Sequence, residues 1–498
     1  MSLKSILAKP FAKSIAAKTY KESSNAVKIQ YKLLKKLIKQ AQHTKFGKDH
    51  HFSKISSYQD FKKHVPIRDY EALKTYVEKA VDGEADVLWK GKPLYFAKTS
   101  GTTSGAKYIP LTKESMPTHI SAAKNSLLHY INETQNTDFL NGKMIFLQGS
   151  PELDEKNGVK TGRLSGISAH YVPNYLTKNR MPSWETNCID DWEKKIEAIV
   201  DETVHENMTL ISGIPSWVQM YFEKLIERTG KKVGDIFPNF NLFVYGGVNY
   251  EPYRNKFENL IGRKVDTIEL YPASEGFIAY QDSQTAKGML LLTNNGMFYE
   301  FIPAEEFYNE TPTRISLEDV ELGVNYVIIL NTNAGLWGYN IGDTIEFVSL
   351  NPHRIIVTGR IKHFISAFGE HVIGKEVEDA INSQTKGTSI RVNEFTVAPQ
   401  ISPSSGLPYH EWFIEFENKP DDIEKFSSAV DKALQQQNSY YFDLIDGKIL
   451  RPLKVTIIKK GGFNKYMKSV GKLGGQNKVP RLSNDRKIAD ELSKYEDK

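Results

Sequence analysis

Residues 99–108 read Thr99-Ser100-Gly101-Thr102-Thr103-Ser104-Gly105-Ala106-Lys107-Tyr108. Five Ser or Thr residues, two glycines and one lysine share these ten positions. Glycine lets backbone N–H groups approach an anion closely, hydroxyls add donors, and lysine adds a compact positive charge. Such a stretch suits a phosphate chain. The alternative, a flexible polar surface turn, does not account for Lys107 or for tight strand flanks. A P-loop requires G-x-x-x-x-G-K-[ST] between a strand and a helix N-terminus. Here three residues separate Gly101 from Gly105, Ala106 precedes Lys107, and Tyr108 stands where Ser or Thr would meet magnesium. Leu94-Tyr95-Phe96-Ala97 and Tyr108-Ile109-Pro110-Leu111 read as strands on either side. A helix is expected from Thr112, as its N-cap, through Ala122 to Leu128 and Ile131. The spacing therefore predicts a strand–loop–strand phosphate clamp.

Outward from this loop, residues 24–42 carry a helical stripe at Val27, Ile29, Leu33, Leu34, Leu37 and Ile38, closed by Thr44-Lys45-Phe46-Gly47-Lys48. From residue 140 strands and helices alternate. Strands are predicted at Lys143–Leu147, Leu210–Ile214, Leu242–Tyr245 and Asp266–Tyr271, with helices at Trp192–Val204 and Pro215–Ile226. That alternation implies a mainly parallel sheet covered by helices. Residues 290–358 turn β-rich, in short runs separated by Asn and Gly, which predicts antiparallel hairpins or a barrel. After Arg360 a compact α+β unit follows, with a helix at Lys375–Ile381, another at 422–437, and strands near Thr396, Trp412–Phe416 and Leu453–Ile458. The boundary is placed near Arg360–Lys362, giving domains 1–361 and 362–498.

The chain has 498 residues, too many for one ordinary core. Its 40% hydrophobic and 25% charged residues are those of a globular protein without membrane spans. The net charge of +5 is too mild to argue for nucleic acid, and no nucleic-acid module is recognisable. The basic excess is concentrated at the ends: twelve lysines and one acid, Glu22, lie between Met1 and Lys48. Lysines 4, 9, 13 and 18 alternate with small apolar residues, a pattern of either a weak transit or interfacial helix or a basic surface helix, and with no continuous signal-peptide core the basic surface helix is the favoured reading. The single cysteine, Cys188, excludes an internal disulfide and suits a reducing cytoplasm.

Two further constellations follow predicted strands, where open α/β sheets bind ligands. Tyr271-Pro272-Ala273-Ser274-Glu275 offers a carboxylate beside a small-residue loop. Glu275 is either a helix cap or a magnesium ligand, since magnesium favours one or two carboxylates plus phosphate oxygens. Trp337-Gly338-Tyr339-Asn340-Ile341-Gly342-Asp343 ends in an acid that either finishes a hairpin turn or accepts from both ribose hydroxyls. Gly246-Gly247 and Tyr271 would supply flat backbone and an aromatic surface for adenine.

In this order and spacing the segments resemble the signature motifs of the GH3 family of acyl acid amido synthetases, within the adenylate-forming superfamily. Thr99–Lys107 is similar to that family's phosphate motif, and Tyr271–Glu275 to its Y-A-S-S-E, with Pro272 in place of Ala. Tyr339–Asp343 is similar to its Y-R-V-G-D, with Asn340 replacing arginine, and Gln476–Arg481 to its Q-Y-K-x-P-R.

The resemblance implies a large N-terminal adenylate-forming domain, of mixed sheets, helices and a barrel-like part, and a small mobile α+β C-terminal lid. It implies ATP and Mg2+, and a two-step reaction: a carboxylic acid becomes an acyl-adenylate, then an amine, commonly an amino acid, displaces AMP. Plant members act on hormone acids. By this resemblance Lys107, Glu275 and Lys478 are the catalytic candidates, with Glu275 holding the metal. Ser100, Gly101, Thr102, Thr103, Ser104, Gly246, Gly247, Tyr271, Ala273, Ser274, Tyr339, Asp343 and Arg360 are the nucleotide-binding candidates. Arg360-Ile361-Lys362 falls at the superfamily hinge, where Lys362 replaces an aspartate, and His371 follows it. The helix 113–131 and Ile214–Trp217 are expected to line the acyl pocket, with Met116, Tyr130 and Trp217 serving as core or contact. The alternatives are an acyl-CoA ligase and a non-catalytic nucleotide-binding scaffold.

Overall fold

The computed structural model describes residues 3–99, 107–172, 178–189, 191–247, 250–361, 364–365, 372–401, 403–446, 449–474, 478–483 and 485–497. Its residues divide into two compact units. One comprises 1–248 with 260–357, the other 249–259 with 358–498.

The first unit opens with helices α1 (Leu3–Ser23), α2 (Ala26–Ala41), α3 (Lys45–Asp49), α4 (Tyr58–His64) and α5 (Tyr70–Val81). The α2 stripe buries Ala26, Gln30, Leu33, Leu34, Leu37, Ile38 and Ala41. Thr44 caps α3 by accepting from the Gly47 N–H at 3.0 Å. Gly47 lies so close to the end of α2 that a Cβ there would sit 2.1 Å from the Ala41 carbonyl oxygen. Helix α6 (Met116–Thr134) lies against α1, where Ala12 is buried with Leu128, Tyr130 and Ile131. It begins four residues later than its predicted N-cap. Thr112 and Ser115 instead bond each other, side chain to backbone N–H in both directions at 2.8 and 3.1 Å, which makes a turn there. Pro117 then occupies the first helical turn, where its missing N–H costs nothing.

Strands β1 (Tyr95–Thr99) and β2 (Lys107–Leu111) pair antiparallel and end on the register Thr99↔Lys107. With β4 (Asp154–Lys156) and β5 (Val159–Gly162) they form a four-stranded sheet in the order β2-β1-β5-β4. The main sheet has eleven strands. Its parallel part joins β3 (Lys143–Phe146), β6 (Arg180–Met181), β7 (Met208–Ser212), β8 (Leu242–Gly246) and β9 (Asp266–Ala273). The rest is β10 (Gly276–Tyr280), β11 (Met289–Leu291), β12 (Met297–Pro303), β13 (Asn325–Thr332), β14 (Tyr339–Leu350) and β15 (His353–Arg360). The order β12-β13-β14-β15-β11-β10-β9-β8-β7-β3-β6 shows that the β-rich segment continues the same sheet through antiparallel pairs.

The outer edge at β12 is covered by polar contacts. The Gln30 amide accepts from Tyr299 N at 2.9 Å and donates to the carbonyls of Thr293 and Met297 at 2.7 and 2.9 Å. Ile315 and Phe301 exchange two backbone bonds farther along. At the other end of α1, the Tyr20 hydroxyl donates to Asp282, which pairs with Arg354 in the interior.

The second unit contains the short ladder β16 (Phe364–Ile365) and β17 (Val372–Ile373), and the sheet β18 (Arg391–Gln400), β19 (Tyr409–Asn418) and β20 (Lys454–Ile458). Helices Gly374–Thr385 and Ile423–Gln437 pack their buried residues with this sheet in one core around Trp412, Ile414, Val430 and Leu434. Segment 249–259 belongs here: Tyr253 donates to Glu394 at 3.3 Å and the Lys256 ammonium to Asn393 at 2.9 Å.

Candidate functional site

The loop residues Ser100, Gly101, Thr102, Thr103 and Ser104, expected to bind phosphate, lie outside the described residues, as do Lys362, His371, Gln476 and Asn477. What the structure describes is the frame of the loop. Lys107 starts β2, and its ammonium lies 5.4 Å from the Tyr70 ring centroid. The Tyr70 hydroxyl in turn accepts from the Tyr108 N–H at 2.9 Å, and burial pushes its phenol pKa up. Tyr70 thus fixes the first residues after the loop, a role the sequence reading did not assign. On the other flank Lys98 pairs with Asp154 of β4.

The motif 271–275 takes a form different from the expected strand end. Strand β9 runs on through Ala273, and the register Gly276↔Ala273 makes Ser274-Glu275 the two-residue turn of a hairpin with β10. Glu275 is therefore in a β-turn and caps no helix, and its side chain is partly exposed. Beside it, Gly246 ends β8 in register with Leu270, where a Cβ would come 2.6 Å from the Leu270 carbonyl oxygen. That close approach of two strands explains the glycine. Gly247 follows with φ of +83°, in the region that favours glycine.

Asp343 is inside β14 and finishes no hairpin turn. Val327 pairs with Thr344 but Ile329 pairs with Asn340, so 341–343 oppose the single residue Ile328. This bulge turns on Gly342, with φ of +87°. Bulges re-aim side chains beside functional sites. Here the outcome is a hydrogen bond of 2.7 Å from the Tyr271 hydroxyl to the Asp343 carboxylate. Asn340, which replaces the family's arginine, is buried and accepts the Gly342 N–H at 2.8 Å. Its amide therefore holds the bulge in shape. Tyr339 is 2% exposed, with its flanks bound to Arg68: Arg68 N donates to Gly338 O and Asn340 N to Arg68 O, both at 2.8 Å. Arg68 and its neighbour His50 were not singled out from the sequence, and Phe46 was read only as part of the stretch closing α2, because only the fold brings residues 46–68 to this strand.

Tyr271, Asp343 and Gly246 are thus brought together, with Ala273, Ser274 and Glu275 continuous with them. Lys107 stands on the four-stranded sheet of the same unit. Arg360 and Lys478 belong to the second unit, where both are exposed. The segment after Lys478 is tied to β18: Thr396 Oγ1 donates to Pro480 O at 2.6 Å and Val397 N to Arg481 O at 2.9 Å. Arg481 is held between Glu378 and Glu394. Met116, Tyr130 and Trp217 are all buried, and Tyr130 donates to Asp266 at 2.7 Å. Also on α6, His119 and His129 are buried with neither ring nitrogen hydrogen-bonded, and burial pushes both pKa values down to about 4. Among the described residues no group of three or more His, Cys, Asp or Glu is arranged to hold a metal, and no helix is long and apolar enough to cross a membrane.

Family models match three stretches: the GH3 family N-terminal domain at 16–187, its central domain at 290–360 and its C-terminal domain at 375–487. A jasmonoyl–L-amino acid synthetase of Nicotiana attenuata is 22% identical over 540 residues, covering 92% of this chain and 91% of that protein. The fold is that of AtGH3.15 acyl acid amido synthetase in complex with 2,4-DB, with a TM-score of 0.80 at 17% identity over 98% of this chain and 96% of that one. A 2-hydroxyisobutyryl-CoA ligase in the postadenylation state matches at a TM-score of 0.56 and 13% identity, over 97% and 91%. On its three matched domains and its fold, the chain belongs to the GH3 family.

Proposed function

We propose that this protein is an ATP-dependent acyl acid amido synthetase, which adenylates a carboxylic acid and passes the acyl group to an amine, an amino acid being the expected acceptor. The observation that carries the reading is the bond between Tyr271 and Asp343, because it joins two family motifs 72 residues apart into one local arrangement. In the first step a carboxylate oxygen of the acid attacks the α-phosphorus of ATP, and the bond to the β-phosphate oxygen breaks to release pyrophosphate. In the second the amine nitrogen attacks the acyl carbon, and AMP leaves with the bridging oxygen.

Charge accumulates on phosphate oxygens in the first step, so preorganised donors and cations accelerate it. Ser100, Gly101, Thr102, Thr103, Ser104 and Lys107 would grip the β- and γ-phosphates. Gly246, Gly247, Tyr271, Ala273, Ser274 and Tyr339 would frame the adenosine, and Asp343 would accept from the ribose hydroxyls. The partly exposed Glu275 carboxylate, in its hairpin turn, fits magnesium, which is ordinarily held by one or two carboxylates plus phosphate oxygens. When bound, the ion offsets phosphate charge. Residues 362–498 would act as the lid that brings Lys478 toward the α-phosphate, with Arg360 at its root. The single cysteine supports a cytoplasmic setting.

Exchange of radiolabelled pyrophosphate into ATP, over a panel of carboxylic acids, tests the first step. AMP release with amino acids or with coenzyme A as acceptor then separates amide from thioester formation. The proposal predicts acid-dependent exchange and amino-acid-dependent AMP release. Exchange at background with every acid while ATP still binds would favour a nucleotide-binding scaffold and refute it.

A further inference from the structure

We propose that the outward face of α1 docks this protein on an anionic lipid surface. The inward face of the helix is small: Ala8, Ala12, Ile15 and Ala16 lie toward the core. The outward face is not the usual polar one. Ile6, Leu7 and Phe11 are 54%, 64% and 48% exposed. Single exposed apolar residues are ordinary, but three large ones within six positions of one helix form a patch.

Charge surrounds that patch. Lys13, Lys18 and Lys21 of α1 are exposed, and the Lys124 ammonium lies 5.6 Å from the Phe11 ring centroid. Lys28, Lys32, Lys35, Lys36 and Lys39 of the following helix α2 are exposed as well. Glu22, the one acid between Met1 and Lys48, accepts from Asn294. Against a lipid surface these apolar side chains would insert among the acyl chains while the ammonium groups meet the phosphates. A nucleic acid would use the cations but give Ile6 and Leu7 nothing to bury against. A second copy of the chain would set lysines against lysines.

The test is co-sedimentation of the full chain with vesicles of phosphatidylcholine alone or mixed with phosphatidylglycerol. The expected result is retention by the mixed vesicles only, weakening as salt is raised. In L7Q/F11Q, which keeps every charge and replaces exposed residues with a good helix former, retention falls at least about tenfold. In K13Q/K18Q/K21Q it falls about a hundredfold, on the order of fivefold per lysine. Unfolding temperature and ATP binding in buffer stay as in the unaltered protein, which shows that the variants fold. Any of three results overturns the proposal: no retention by mixed vesicles, undiminished retention of either variant, or retention by phosphatidylcholine alone to the same extent. Gel retardation of RNA that survives in L7Q/F11Q, or a concentration-dependent dimer lost in it, would reassign the surface to those partners and equally overturn the lipid assignment.

Discussion

Removing the Tyr271 hydroxyl tests the core of the proposed site. The Tyr271→Phe ring keeps its shape, while Asp343 loses a donor that stands 2.7 Å away. A hydrogen bond to an ionised acceptor contributes about 1.5–3 kcal/mol. Tyr271 is buried but Asp343 is partly exposed, so water replaces some of the lost bond and the lower figure of about 1.5 kcal/mol applies. If Asp343 accepts from the ribose, an untethered carboxylate weakens ATP binding about tenfold. Asp343→Asn removes the charge itself. Two bonds each weaker by about 1–1.5 kcal/mol give a loss of roughly 30- to 150-fold. Because the two residues act through one contact, Tyr271→Phe should add less than about 0.5 kcal/mol in the Asp343→Asn background. Calorimetric titration with ATP in the absence of any acid reads all four corners of this cycle, and it does not depend on knowing the acyl substrate. The reasoning fails if Tyr271→Phe binds ATP as tightly as the unaltered protein while its unfolding temperature falls, for the bond would then only brace the sheet. It also fails if the two losses simply add.

Gly47→Ala places a methyl 2.1 Å from a backbone carbonyl that cannot step aside, so a urea midpoint should report a loss of about 3 kcal/mol. Unchanged stability would mean that α2 and α3 can separate freely. Asn340→Ala leaves the Gly342 N–H without its acceptor beside Asp343, and should cost about 1–2 kcal/mol of stability and also weaken ATP binding. A stability loss alone would detach the bulge from the site. His119 and His129 are buried and His353 is partly buried, and desolvation holds each near pKa 4. Unfolded histidine titrates near 6.5, so below that value the unfolded chain binds more protons. Stability is then full above about pH 6.5 and falls toward pH 4 by about 3 kcal/mol per histidine. Urea midpoints across that interval check the slope, which His119→Leu should reduce by one proton, and a flat profile would refute the burial argument.

The sequence was most legible where a local pattern forces the result. Alternation predicted the strands from β7 to β9, and the 24–42 stripe predicted α2, because each is set by which residues must face a core. The motifs were legible as residue types. Their local geometry was not. Nothing in Ala273-Ser274-Glu275-Gly276 carries the Asn-Gly or Asp-Gly signal of a tight hairpin, so the turn at 274–275 had no signature. The bulge at 341–343 is defined by the count of residues on β13, which a single segment cannot reveal. At 112–117 two hydroxyl residues compete to be the cap, and Pro117 was the clue to the later start. The return of residues 249–259 to the second unit, and the approach of Arg68 to Tyr339, are contacts between distant segments that only packing decides.

Gln30 has a consequence beyond the helix that carries it. A sheet of eleven strands would normally offer a row of free amides at its rim, and such a rim templates pairing with another chain. At β12 one side chain copies what a neighbouring strand would do, taking an N–H and giving two protons back, and Ile315 occupies the next position. The opposite rim is only the two residues Arg180 and Met181, followed at once by Pro182. One rim is thereby occupied and the other is too short to template a long strand, and both features discourage fibrous self-association of a long, strongly apolar sheet.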